Sequence, residues 1–395
     1  MADIVGIGGP ARPGTADKLR IWWGDRPYSQ AILIAALFVI AAYFGSNILH
    51  SMAARGMEPN FDYLWERTGF DIDETLIPFT SDDTFGRAIL VGLLNTVKLA
   101  FFGCIFATIL GVTLGVIRLS GNLLLSRLVQ SYVELIRNTP LTLQLFFWIA
   151  LTQALPQPRQ ALQPLPATFL SIRGIFLPWF TVETGSLWPL IIALVLLAFA
   201  AHFVLARRQR PLSPGAFLAL LAAFPVVAVV WILLAGISFT PDLPALQGFN
   251  IRGGLSMSRE FAAMLLGLTL YYAASISESV RSGIESVGIG QWEAGRAIGL
   301  SRGRIMRLVV FPQSMRVITP LMTSSFLDLT KDTSLGPLIG FFEVTQVIKV
   351  SANKDGNAVA TIIVLVIVFL AVSLPVSYLI NLYNRRLAKR GIIAK

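Results

Sequence analysis

The chain has 395 residues, 55% of them hydrophobic and only 14% charged, with a mean hydropathy of +0.69. Soluble domains carry about 25% charged residues, so this composition excludes a soluble globular protein and points to an integral membrane protein. Its net charge of +10 is then a surplus to be sorted by side of the bilayer, and no nucleic-acid partner is expected. The single cysteine, Cys104, lies in an apolar stretch, which rules out an intrachain disulfide and a cysteine metal cluster. His50 and His202 sit far apart at segment ends, where a structural role fits better than a proton relay.

Residues 1–27 are Gly/Pro-rich and basic and read as a cytoplasmic tail. The apolar run 28–50 is too long for a signal-peptide core and lacks a nearby Ala-x-Ala pattern, so it reads as a retained first transmembrane helix. Residues 51–86 are acidic, from Glu58 to Asp83, with only Arg55 and Arg67 against them. That contrast puts the N-terminus inside and this segment outside.

The stretch 87–155 holds two further spans. The first ends at Arg118 on the inner side, and Lys98 within it is expected to snorkel toward the outer interface. Residues 121–137 place Leu124, Leu128, Val129, Tyr132, Leu135 and Ile136 on one side of a helix, as an interfacial cytoplasmic helix would. Thr139 then reads as a cap and Pro140 as the first residue of the next span.

In 156–258 a Pro-rich polar stretch is followed by apolar runs at 186–206 and 214–238, with Arg207, Arg208 and Arg210 between them as an inside marker. Pro225 would kink the second run. The segment 259–384 holds spans at 260–278, 315–335 and 358–380, and 385–395 is a basic cytoplasmic tail. The expected fold is an all-α integral membrane protein with about eight transmembrane helices and both termini cytoplasmic.

Between the sixth and seventh spans lies a loop, 281–312, too rich in charge to cross a bilayer. Glu293 to Ile298 is a good helix former carrying the small residues Ala294, Gly295 and Ala297. Gly299 can end that helix in a left-handed conformation. Ser301 can cap a second short helix and Pro312 end it. Small side chains permit close backbone approach, so the first helix suits another protein's groove; a capped connector touching only lipid headgroups fits the local physics equally.

One polar cluster interrupts an apolar run: Lys331-Asp332-Thr333-Ser334 in the seventh span. Intramembrane charges face a cavity or each other, which leaves two readings. One is a local Lys331–Asp332 pair at the outer interface, and the other is a polar wall of a substrate pathway. There is no phosphate-binding loop, since the dipeptide Gly-Lys never occurs, and no catalytic or metal-ligating constellation. The chain is therefore not expected to hydrolyse ATP or to be an enzyme.

Glu293-Ala294-Gly295, three residues, Gly299, nine residues, Val309, one residue, Phe311-Pro312 resembles the EAA loop of permease subunits of ABC importers. The family pattern has Ala, Ile and Leu where this chain has Gly295, Val309 and Phe311. The resemblance implies that Glu293, Ala294, Gly295, Ala297 and Gly299 form the helix that couples to an ATP-binding cassette subunit. The stretch 132–141, with Arg137-Asn138-Thr139-Pro140, resembles the polar amino-acid branch of these permeases, with Asn138 for the usual Gly. Lys331-Asp332-Thr333-Ser334-Leu335 resembles that branch's Lys-Asn-Thr-Ser-Leu, with Asp332 for Asn.

These resemblances imply the permease subunit of a binding-protein-dependent importer of L-amino acids in a bacterial inner membrane. Its length and inserted pair further resemble the general L-amino-acid permeases. A five-helix permease core would carry one extra N-terminal helix and the inserted pair. Partners would be the ATP-binding subunit, a second permease, a periplasmic amino-acid-binding protein and the bilayer. No cofactor is implied on this chain, because ATP acts through the partner. The alternative is a self-sufficient secondary transporter or channel, for which paired repeats with broken helices and more midplane acids are expected and are not evident.

Overall fold

The computed structural model describes residues 27–54, 61–182, 238–355 and 358–389, together with 192 and 197. The tail 1–26, the basic cluster 207–210 and 390–395 lie outside the described residues, as does the inserted pair expected at 186–206 and 214–238 apart from 192, 197 and 238. Helix α1 (Pro27–Ala54) belongs to a compact unit separate from the bulk of the chain. Its apolar stretch of 21 residues, 28–48, is long enough to cross a hydrocarbon core of about 30 Å.

The larger unit is built on two helices. Helix α2 (Phe85–Arg118) starts at Thr84, whose side chain accepts from the Arg87 N–H. Helix α5 (Arg259–Glu285) starts at Ser258, whose hydroxyl accepts from the Phe261 N–H at 3.1 Å. Both are long and apolar enough to span a membrane. They pack closely because α2 offers glycine at successive turns. A Cβ on Gly111 would lie 2.7 Å from Ile276 Cβ, and one on Gly115 2.8 Å from Val280 Cβ. Small residues at a four-residue spacing let helix backbones meet where lipid supplies no hydrophobic driving force. Leu99, Leu145, Phe261, Met264, Leu268, Ile276 and Leu329 fill the core around α5.

Helix α3 (Leu123–Asn138) begins at Asn122, whose side chain accepts from the Leu124 and Leu125 N–H groups. Val129 and Val133 are buried with Ala274 of α5, and the Tyr132 hydroxyl donates to the Leu270 carbonyl at 2.8 Å. Leu124, Leu128 and Leu135 remain exposed, so only part of the expected apolar face meets the protein. Thr139 does not cap helix α4 (Leu141–Gln153). Its hydroxyl donates to the Leu135 carbonyl at 2.8 Å and closes α3, and Pro140 precedes α4 without a side-chain cap. The Gln144 amide instead ties the joint, donating to the Ile136 and Thr139 carbonyls.

Short antiparallel ribbons, which the sequence did not suggest, flank the undescribed part of the insertion. Strand β1 (Phe169–Ser171) pairs with β2 (Gly174–Leu177), and β3 is Trp179–Val182. On the far side come β4 (Phe239–Asp242), β5 (Ala245–Gln247), β6 (Asn250–Arg252) and β7 (Leu255–Ser258). Strand β3 pairs with β4, β5 with β6, and β2 with β7 directly before α5. The pairing of Trp179 with Asp242 joins residues far apart in sequence, and such non-local register leaves no local pattern to read.

After the loop, helix α6 (Ile289–Ala297) and the short α7 (Arg302–Ile305) precede a π-turn, Met306–Val310, that runs into α8 (Phe311–Asp332). Pro312 therefore does not end a short helix, since helical backbone continues from Arg302 to Asp332. Proline lacks an N–H and clashes with the carbonyl four residues earlier. The widened π-turn relieves that conflict, and Pro312 sits in the first turn of α8, where no donor is missed. A 3₁₀ stretch, Thr333–Leu338, leads to α9 (Val344–Asp355) and α10 (Ala358–Lys389). Val91, Val344, Val347 and Ile348 form a second core with Ile72 of the 51–86 segment.

Lys98 also differs from expectation. It does not snorkel: it forms an ion pair with Glu74, both side chains are largely buried, and the ammonium stands 4.5 Å from the centre of the Phe261 ring. Glu74 further accepts from the Ser258 N–H at 2.8 Å, and its carbonyl accepts from the Asn95 amide. A carboxylate from the acidic segment thus joins α2 to the start of α5.

Candidate functional site

Val287, Ile305 and Val310 form the buried core of the loop, with Trp292, Leu300 and Val309 packed against it. This explains the long motif spacing: Val309 reaches back under α6. Gly299 adopts φ +79°, its N–H donating to the Arg296 carbonyl and the Leu300 N–H to that of Gly295. That left-handed turn strongly favours glycine.

Glu293, Ala294, Ala297 and Gly299 are all exposed. Gly295 is not part of that surface. It is buried, and a Cβ there would lie 2.8 Å from Ile305 Cγ1, which accounts for glycine where the family has alanine. Glu293 also lies further along its helix than its sequence position suggested, because α6 starts at Ile289. The helix dipole at the N-terminus therefore does little for it.

The polar cluster sits where α8 gives way to the 3₁₀ stretch. Lys331 and Asp332 do not pair: the Lys331 ammonium is 3.8 Å from Asp328, with both side chains largely exposed. Asp332 instead accepts from the hydroxyl of Tyr272, a buried residue of α5, at 2.6 Å. Thr333 is fully buried and its hydroxyl donates to the Thr330 carbonyl at 2.8 Å, while Ser334 is half-buried. The cluster thus splits, with Lys331 facing out, Asp332 tied to α5 and Thr333 buried.

Two features are not legible in the sequence. One is Tyr272. The other is an ionic hub at the C-terminal ends of α2, α3 and α5. The Glu278 carboxylate accepts from Arg118 of α2 and from Arg281 of its own helix, each at 2.5 Å, and Arg137 of α3 approaches to 3.9 Å. Arg281 also pairs with Glu285. The spacing of Glu278, Arg281 and Glu285 marks one helix face and could have revealed part of it, but the Arg118 and Arg137 contacts depend on tertiary packing. One carboxylate therefore gathers the C-terminal ends of three helices just before α6.

The family described as binding-protein-dependent transport system inner membrane component matches residues 215–389. The chain is 36% identical over 368 residues to the putative amino-acid ABC transporter permease protein YhdX of Escherichia coli, covering 91% of this chain and 93% of that protein. It is 37% identical to the general L-amino acid transport system permease protein AapQ of Rhizobium johnstonii, covering 90% of each. It is also 35% identical over 401 residues to the glutamate/glutamine/aspartate/asparagine transport system permease protein BztB of Rhodobacter capsulatus, covering 91% of this chain and 93% of that one. With an exposed loop helix of the expected motif and relatives matched almost end to end, the chain belongs to the family of inner-membrane permease components of binding-protein-dependent ABC transport systems.

Proposed function

We propose that this permease carries L-amino acids, delivered by a periplasmic binding protein, across the inner membrane by alternating access. A separate ATP-binding subunit seats on α6 and hydrolyses the ATP, and a second permease completes the pathway. The chain needs no cofactor of its own. Both termini and the 281–312 loop lie in the cytoplasm. Relatives named as permeases for general L-amino acids and for glutamate, glutamine, aspartate and asparagine support the substrate class. Asp332, Thr333 and Ser334 line the pathway in this reading, with Lys331 at its edge.

The observation that carries the coupling role is the Gly299 turn at φ +79°. It presents Glu293, Ala294 and Ala297 outward while Gly295 locks the helix to Ile305. A β-branched residue resists the left-handed conformation, so Gly299→Val should misplace the loop while the distant spans still insert. The expected variant is membrane-embedded, recovers little ATP-binding subunit on co-purification and does not transport in vesicles. Glu293→Ala should be milder. Full subunit binding and full uptake by Gly299→Val would refute the coupling role. Neither relatives nor geometry favour a self-sufficient transporter, and ATP-dependent uptake that resists a protonophore would separate the two.

A further inference from the structure

A cleft of about 610 Å³ opens at the inner ends of α2 and α5, beside α6. Its walls are apolar and include Leu119, Ile284, Ile289 and Met306, while Arg296 and Arg302 stand among the lining residues with Trp292. The Glu285 carboxylate, also present, is already engaged by Arg281. Among the described residues neither Arg296 nor Arg302 has an ion-pair partner.

The cleft is distinct from the surface assigned to the ATP-binding subunit. Ile289, Trp292 and Arg296 recur at the spacing of one helix face and line it, whereas Glu293, at the edge of that face, and Ala294 and Ala297, further round α6, do not line it. Leu119 directly follows the apolar span of α2, so the cleft lies at headgroup depth of the inner leaflet when the loop is cytoplasmic. An apolar cavity with two free guanidinium groups at that depth is complementary to an amphiphile with an anionic phosphate head.

We infer that the cleft holds an anionic phospholipid of the inner leaflet, its phosphate on Arg296 and Arg302 and its upper acyl chain against Leu119, Ile284 and Met306. The lipid acts as a wedge behind α6, so that coupling depends on anionic lipid. That consequence rests on the coupling role of α6; lipid binding itself does not.

The test uses the intact complex of permeases and ATP-binding subunit in detergent, read by native mass spectrometry and thermal unfolding. Phosphatidylglycerol, phosphatidylcholine and soluble glycerol 1-phosphate are added separately. Phosphatidylglycerol should be retained and raise the unfolding temperature, whereas the other two should not. Arg296→Gln with Arg302→Gln should weaken phosphatidylglycerol binding about 30-fold, the effect expected of two cationic side chains near an anionic membrane surface.

Gly288 also lines the cleft, and a Cβ there would meet nothing within 4 Å. Gly288→Leu should therefore displace the lipid while the complex stays assembled. Equal phosphatidylglycerol binding by wild type and both variants would overturn the inference. So would stabilisation by glycerol 1-phosphate matching that by the lipid. A wild type that retains no lipid, alongside an arginine variant that loses its ATP-binding subunit, would assign the cleft to that subunit instead. Intact subunit binding by Gly299→Val would sink the coupling role and leave the lipid measurement standing.

Discussion

Gly295 and Asp332 show how single positions answer to neighbours distant in sequence. Gly295 has a helical backbone that any residue could adopt, yet Ile305 leaves no room for a Cβ. Gly295→Ala should therefore lower the unfolding temperature of the subunit, at a cost of about 1–3 kcal/mol for overpacking. Ile305→Ala should also destabilise, and the double variant should lose less than the sum of the two, since each relieves the other. Additive losses would mean that the two side chains do not compete for this space. Asp332 is held by Tyr272 at 2.6 Å. Removing one partner of a buried hydrogen bond costs about 1–3 kcal/mol, so Thr333→Val, Ser334→Ala and Tyr272→Phe should each reduce uptake, by roughly tenfold for a group that touches substrate, without loss of surface expression. Wild-type uptake in all three would place the cluster outside the pathway.

Among the elements, α5 organises the unit. Its small and polar residues give it the lowest hydropathy of the three helices that are both long and apolar enough to cross a membrane among the described residues, 1.3 against 2.1 and 2.3, yet it is the most deeply packed of them. The reason is that close helix contacts in a membrane select for small side chains, not for greater hydropathy. Its C-terminal end holds the Glu278 hub. Glu278→Gln leaves Arg118 without its charged partner and Arg281 with Glu285 alone, in a largely desolvated place, with the two arginine side chains 13% and 27% exposed. Glu285 is 51% exposed and meets only Arg281. Glu278→Gln should therefore lower the unfolding temperature of the purified subunit clearly more than Glu285→Gln, because exposed pairs are worth little and buried ones are costly to break. Equal shifts would show that the hub does not bind the three helices together.

At the scale of the whole molecule, the topology we propose puts the acidic 51–86 segment and the basic 281–312 loop on opposite sides of the bilayer, as the sorting of positive charge to the inside would have it. In a Cys104→Ser background, Trp65→Cys should react with an impermeant thiol reagent in intact cells. Trp65 is 81% exposed. Ser301→Cys should react only after the membrane is opened. External labelling at Ser301 would overturn the topology and with it the docking surface on α6.

By itself the sequence determined the membrane class, the charged loop among apolar spans, the Gly299 turn and the spacing that identifies the family. All of these depend on composition, on periodicity or on the backbone freedom of one residue, and each is local. Only the tertiary structure decided that Lys98 is paired with Glu74, that Asp332 answers to Tyr272 and not to Lys331, and that Gly295 faces inward. It alone joined β3 to β4 across the insertion and carried the helix through Pro312 on a π-turn. Each of these is a contact between residues far apart in sequence, or a backbone adjustment forced by packing. Neighbouring residues carry no signal of such a contact, because its energy exists only once both partners are in place.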